Sequence, residues 1–412
     1  MSGKNKNILI TLILGALTTV SPFSIDLYLP AFKKIAEHFG TTPSRVSFTL
    51  SSYFIGLAIG QIFYGPFLDR FGRKRPLYFG LLLYIVASVG CAFSVSIEML
   101  IVMRFLQAIG GCAASVAATA MVRDFFSPEE GAKVFSRLML ILSVSPLFAP
   151  TVGGWVISLF GWQMLFFILS VIVSMFLLIV FLFLPEGHQP DPSVHIKLMP
   201  MIRTFSSVLT NRQFFTYTFS GAFSFAGLFT YLAGAPAIFL DSFQLSANMF
   251  GLLFACLSVG MIGGGQFNIF LQKFFKAEKI FSRALEMQLL MAIIFVVGCA
   301  FDWYGLKSQI AIFFIYISCV GLTYPNAAAL AMAPFSKNAG SASALLGTVQ
   351  MGVGAAAATA FGLLKDLTPS LAVAVVFLFT SMIALTIFNI ARVKQSTLPN
   401  SKIAQPPGGL SH

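Results

Sequence analysis

Apolar runs about twenty residues long alternate along the chain with short polar, mostly basic connections. They cover roughly 8–30, 46–68, 77–94, 99–122, 134–158, 163–184, 213–240, 247–271, 284–301, 308–333, 341–364 and 370–391. At 1.5 Å rise per residue, each is long enough for an α-helix to cross a hydrocarbon layer about 30 Å thick. Gly and Pro recur inside the runs, and membrane helices tolerate both better than soluble ones do. The first run exceeds a signal peptide in length and lacks a small-residue cleavage site, so it reads as a helix of the mature chain. The pattern predicts an all-α membrane protein of twelve transmembrane helices.

Composition agrees. The 412 residues are 57% hydrophobic and only 10% charged, whereas a soluble domain carries about a quarter charged residues. The net charge of +12 could point to nucleic acid, but its placement points to a bilayer. With both termini in the cytoplasm, the loops of that side hold 20 of the Lys and Arg residues, and the outer side holds five: Lys33, Lys34, Arg45, Lys307 and Lys365. That is the positive-inside pattern. It needs no polyanionic partner. One cation, Arg104, is left inside an apolar run. Cys91, Cys112, Cys256, Cys299 and Cys319 all lie in apolar runs without metal-type spacing, and are expected to be buried small residues rather than disulfides or ligands.

The only long polar connection is PEGHQPDPSVHIKLMPMIRTFSSVLTNR, residues 185–212. It divides the chain into a six-helix half, 1–184, a cytoplasmic linker, and a second six-helix half with a short tail, 213–412. His188 and His195 fall here and read as solvated linker residues. A shift of 200 positions aligns Phe54 with Phe254, Leu57 with Leu257, Gly60 with Gly260, Gly65 with Gly265 and Phe67 with Phe267, and sets Arg73 opposite Lys273. Weak similarity between two halves suggests an internal repeat.

Three motifs carry chemistry. After the second run comes GPFLDRFGRKR, with Gly65, Asp69, Arg70, Gly72 and Arg73. In the fourth, RFLQAIGG begins at Arg104, and the run closes on MVRDFF with Arg123 and Asp124. The fifth contains SPLFAPTVGG, with Pro146, Pro150, Gly153 and Gly154. The first resembles the G-x-L-x-D-R-x-G-R-K signature of the major facilitator superfamily, the second its R-x-x-Q-G-x-G motif, and the third the G-P-x-x-G-G motif of its drug/proton antiporters. Ala108 and Ala149 stand where those motifs carry glycine. In the second half Ile269 replaces the acid and Gln272 the second glycine, which leaves the charged motif to the first half. Together with SIDLYLPAF and FSFAGLFTYL, the motifs resemble the Bcr/CflA group of bacterial drug exporters, in particular its bicyclomycin-resistance branch.

The resemblance implies the major facilitator fold and proton-driven export of small antibiotics such as bicyclomycin, phenicols or sulfonamides across the bacterial inner membrane. It implies that Asp69 pairs with cations of its own half and faces a helix end of the other, latching the cytoplasmic side. A charge pair at an aqueous rim is worth only about 0–1 kcal/mol, which suits a latch that must break.

Of fourteen acidic residues, thirteen fall in loops or close to the ends of apolar runs. Only Asp26 sits deeper. A carboxylate near the bilayer centre costs about 2.5–3.5 kcal/mol on insertion scales, so such residues face a cavity and serve a function. Removal from water disfavours the charged form of a carboxyl group, which suits a proton carrier. Arg104, at similar depth, is its expected partner, and the approximate counterpart of Arg104 in the second half is Phe314. Tyr28, Tyr53, Phe225, Tyr231, Tyr316 and Gln350 are candidates to line a substrate cavity. No cofactor, metal or nucleic acid is expected, and the proton gradient supplies the energy. The partners are a small-molecule drug, protons and the bilayer, and the chain is expected to work as a monomer. No Ser-His arrangement, metal cluster or phosphate-binding loop argues for an enzyme. The remaining alternative is a transporter of the same fold that carries a small metabolite or sugar.

Overall fold

In a computed structural model the chain is helical throughout, with no strand among the described residues, which are 3–187, 190, 205–335 and 339–396. His188, His195 and most of the linker lie outside them. Twelve long helices account for the apolar runs. They are α1 (Gly3–Asp26), α2 (Pro43–Phe71), α3 (Lys74–Ala92), α4 (Ile97–Phe125), α5 (Pro128–Phe160), α6 (Gln163–Phe183), α7 (Arg212–Pro236), α8 (Ala247–Leu271), α9 (Ala277–Ala300), α10 (Leu306–Met332), α11 (Ala339–Leu363) and α12 (Pro369–Ser396). Eleven are long and apolar enough to cross a bilayer, and α5 contributes the shorter apolar stretch Ser145–Phe160.

Local sequence sets the helix ends. Thr42, Ser96, Ser127, Asn211 and Ser246 each accept a backbone N–H three residues on, at the start of α2, α4, α5, α7 and α8. Such caps satisfy donors that the first turn leaves unpaired. Gly72, at φ 81°, terminates α2 in a backbone conformation that a side chain would strain.

α1 ends four residues earlier than the apolar run suggests. Pro30 has no N–H to offer the Asp26 carbonyl, so the α-helix stops at Asp26. The chain then bends through Leu27 and Tyr28 into a 3-10 turn, Leu29–Ala31, and a short helix, Phe32–His38. α9 begins earlier than its apolar run, at Ala277 instead of 284. Glu286 therefore lies well inside it, in an exposed 2.6 Å pair with Arg283.

The two halves repeat one packing scheme. In the first, α1 packs on α4 and α5, α2 on α4, and α3 on α4 and α6; in the second, α7 packs on α10 and α11, α8 on α10, and α9 on α10 and α12. Gly60 and Gly260, aligned by the 200-residue shift, play the same part in each. A Cβ on Gly60 would stand 2.7 Å from Cys112 Cβ, and one on Gly260 2.8 Å from Ser318 Oγ. With no apolar driving force between helices in lipid, close backbone approach at small residues does much of the packing.

The halves meet along α2–α11 and α5–α8. Phe54 of α2 packs its ring 4.2 Å from Phe229 of α7, and Thr348 of α11 donates to the Ala58 carbonyl of α2 at 3.5 Å. Cys91, Cys112 and Cys319 are buried, but Cys299 is half-buried and Cys256 is exposed on the outer face of α8. The expectation of five buried cysteines is therefore corrected. A membrane helix is apolar on its lipid side too, so an apolar run does not mark an interior position.

Candidate functional site

Asp26 is the only buried acid among the described residues, at 6% exposure. Side chains on an α-helix tilt toward its N-terminus, so the carboxylate at the end of α1 reaches back along α5. There Ser145 Oγ donates to Asp26 Oδ2 at 2.9 Å. Ser145 lies near the middle of the 33-residue helix α5, where its apolar stretch Ser145–Phe160 begins. The bend beyond Asp26 rests on the same helix, because Gly153 permits it: a Cβ there would collide with the Leu27 carbonyl and lie 3.2 Å from its carbon.

Arg104 is fully buried, but it does not pair with Asp26. Among the described residues no ion pair joins them, which corrects the expected partnership. The guanidinium carbon lies 4.5 Å from the Tyr28 ring centroid and 4.2 Å from that of Tyr53, with Phe166 at 5.9 Å. Nη1 donates to Gln107 Oε1 at 2.6 Å, and Gln107 Nε2 donates to Ser88 Oγ at 2.7 Å. A desolvated cation gains roughly 2 kcal/mol or more over an aromatic face, so these rings help to hold the charge. Arg104 Nε and Nη2 have no hydrogen-bond partner. Tyr28 is itself fixed, its hydroxyl sharing a 2.8 Å bond with Thr49. Tyr28 and Tyr53 therefore form the cage of Arg104, in place of an open cavity wall.

The other cavity candidates divide. Phe225 stacks edge-on against Phe229, at 5.1 Å, and lies 4.7 Å from the Tyr324 ring. Through Phe229 and Phe54 this aromatic group spans the two halves. Tyr231 is buried between Phe254 and Phe313, each 5.5 Å away, and its hydroxyl has no hydrogen-bond partner. Tyr316 is corrected to a packing residue: it stacks 3.9 Å over Phe377 and shares a 2.9 Å bond with Ser381, all inside the second half. Gln350 is buried at 4% exposure.

The charged motif forms a compact cluster at the basic end. Arg73 donates to Asp69 at 2.6 Å and makes two bonds to Asp124, at 2.8 and 3.3 Å. Burial works against the charged guanidinium, but its hydrogen bonds to Asp124 and Asp69 outweigh that and raise its pKa above the usual arginine value. The Glu186 carboxylate accepts the backbone N–H groups of Arg73 and Lys74, at 2.6 and 3.0 Å, and so caps the start of α3, where a negative charge favours the helix dipole. Arg70 lies 5.6 Å from the Phe71 ring, Arg123 is exposed, and a Cβ on Gly65 would meet open space. Of these hydrogen-bonded members, Asp69, Arg73, Lys74 and Asp124 belong to the first half and Glu186 to the start of the linker. Sequence reasoning did not assign Ser145, Gln107 or Glu186, although each stands in a quoted motif or just beyond a helix end.

Asp124 takes two bonds and its side chain is 14% exposed, whereas Asp69 takes one and is 53% exposed. Hydrogen bonds to charged groups contribute about 1.5–3 kcal/mol when shielded and much less at the surface. Asp124→Asn is expected to lower transport more than Asp69→Asn at matched membrane content. The reverse order would shift the weight of the cluster to Asp69, and normal transport by both would remove the cluster from the transport cycle.

On the fifth helix, Pro146 and Pro150 break the backbone ladder, and Gly154 faces the second half. A Cβ there would stand 3.0 Å from the Ala247 carbonyl oxygen and 3.1 Å from Asn248 Oδ1.

The fold is that of known transporters. A bacterial homologue of the human lysosomal transporter Spinster, solved in an inward-facing, unoccupied conformation, superposes with a TM-score of 0.68 at 16% identity, over 95% of this chain and 96% of that one. A bicyclomycin resistance protein homologue of Haemophilus influenzae is 29% identical over 355 residues, 86% of this chain and 89% of that protein. A multidrug resistance protein of Shigella dysenteriae is 27% identical over 339 residues, 82% of this chain and 84% of that protein. The family model of the Major Facilitator Superfamily matches residues 14–359. With its all-helical fold and its likeness to drug-resistance transporters, the chain belongs to the Major Facilitator Superfamily of membrane transporters.

Proposed function

We propose that the protein is a proton-coupled exporter of small antibiotics, working by alternating access in a bacterial inner membrane with its basic loops and both termini in the cytoplasm. The observation that carries this reading is Asp26, an acid buried within the helix bundle with one hydroxyl partner, Ser145. In this reading a proton entering from outside converts the carboxylate to a neutral acid, which can stay buried without a counter-charge. Drug binding then favours loss of that proton to the cytoplasm, and the recovered carboxylate again accepts from Ser145. Arg104, held by Tyr28, Tyr53 and Gln107, supplies a fixed positive field in the same half. The relatives named for bicyclomycin and multidrug resistance support an antibiotic as the substrate.

Expression in an efflux-deficient bacterium tests the reading. Inhibitory concentrations of bicyclomycin, chloramphenicol or a sulfonamide should rise, and collapse of the proton gradient should increase drug accumulation to the level of cells lacking the protein. Unchanged inhibitory concentrations across the panel would favour a carrier of another solute, and accumulation that falls when the gradient collapses would mark an importer.

A further inference from the structure

Among the described residues, a charged side chain crosses between the halves. Lys33, on the short helix Phe32–His38, donates to Gln244 Oε1 at 2.7 Å and to the Leu240 carbonyl at 3.5 Å. Its receptors lie just past α7, where Pro236 gives way to a π-helical turn, Ala237–Ser242. A single π turn in an otherwise α-helical run is rare and often marks a functional position. Leu240 is near the end of that run, where backbone carbonyls concentrate negative potential and favour a cation. Gln244 is held at φ 53°, in the left-handed region, and its amide nitrogen donates to the Asp241 carbonyl. This bond anchors the side chain whose oxygen meets Lys33.

Lys33 stands seven residues beyond Asp26, and the segment between them is fixed at each step. Asp26 is held by Ser145, Leu27 rests on Gly153, and Leu29–Ala31 is fully buried. Close by, Gly154 and Gly251 bring α5 and α8 together, a Cβ on Gly251 standing 2.7 Å from Thr151 Cα. The polar side chains Thr151 and Asn248 also stand at this approach, but among the described residues no hydrogen bond from either of them joins the halves.

We infer that Lys33 is the latch that holds the halves together at the end opposite the basic loops, by gripping the π turn and Gln244 beyond α7. This goes beyond the antiport reading and rests on it only in that this end must open during transport. The latch joins a cation to a carbonyl and an amide and uses no acid, so it holds with both partners in their ordinary charge states. Its attachment to the segment that begins at Asp26 makes that segment a strap between the carboxylate and the closure of this end.

The test is a distance measurement between spin labels placed at Glu37 and Met249, both exposed, on a cysteine-free background in lipid nanodiscs. The background protein should give a short, narrow distribution. Lys33→Met should shift the closed-to-open ratio about threefold toward open, the scale of losing one solvent-exposed charge-assisted bond and one long one. Lys33→Arg should retain the closed population. Gln244→Gly, which removes the acceptor and suits the positive φ, should open this end too, and the double variant should open it less than the sum of the two. A distribution unchanged by Lys33→Met, or additive effects in the double variant, would overturn the latch. Neither drug nor proton gradient enters the measurement, so its failure is separate from failure of the antiport reading.

Discussion

Purified Asp26→Asn protein in weakly buffered detergent releases no protons when bicyclomycin or chloramphenicol is added, whereas protein retaining Asp26 does. The expectation follows from position and chemistry. Asn keeps the shape of the side chain and can still accept from Ser145, so the bend at Leu27 and its packing against Gly153 should persist. What is lost is the exchangeable proton. The variant is fixed in a neutral form and should keep affinity for an uncharged drug while concentrative export falls to background. Release by protein with Asp26 should grow as the pH is lowered into the range where the carboxyl is loaded. Undiminished release from Asp26→Asn would place the coupling group elsewhere and leave Asp26 a structural acceptor for Ser145.

Leucine at Gly153 and at Gly154 should produce two different defects. Gly153 faces its own half, where an added side chain meets the Leu27 backbone and cannot be relieved by a rotamer change. Overpacking of this kind costs about 1–3 kcal/mol or more, so Gly153→Leu should lower membrane content and melting temperature. Gly154 faces Ala247 and Asn248 of the other half. Gly154→Leu should leave each half folded but prevent their closure at this end, abolishing export at near-normal membrane content. Thermal melting in detergent and drug efflux, measured side by side, separate the two. Export by Gly154→Leu at the usual rate would reduce the motif to tight packing.

The helices were legible because membrane spanning imposes a length and a composition that few other structures share. The repeat was legible for a related reason: Gly60 and Gly260 serve equivalent close approaches, and a close approach allows little choice of residue. Asp26 stood out because a deep acid is costly. The end of α1 was misplaced by four residues, since the apolar run continues past the point where Pro30 removes a backbone donor.

Pairing was not legible. Depth alone suggested that Asp26 and Arg104 would meet, yet Asp26 turns to Ser145 on α5 while Arg104 is taken by Tyr28, Tyr53 and Gln107. Tyr316 likewise looked like a cavity residue but stacks on Phe377. The sequence by itself determined the membrane class, the twelve helices, the repeat and the residues too costly to be there without a role. Those follow from the solvent, which acts on each segment separately. Only the tertiary structure decided which helix each side chain faces, that Lys33 crosses to the other half, and that Gly153 and Gly154 serve different interfaces. Such choices depend on the rotation and tilt of packed helices, and in lipid these are set by shape complementarity rather than by the apolar pattern along the chain.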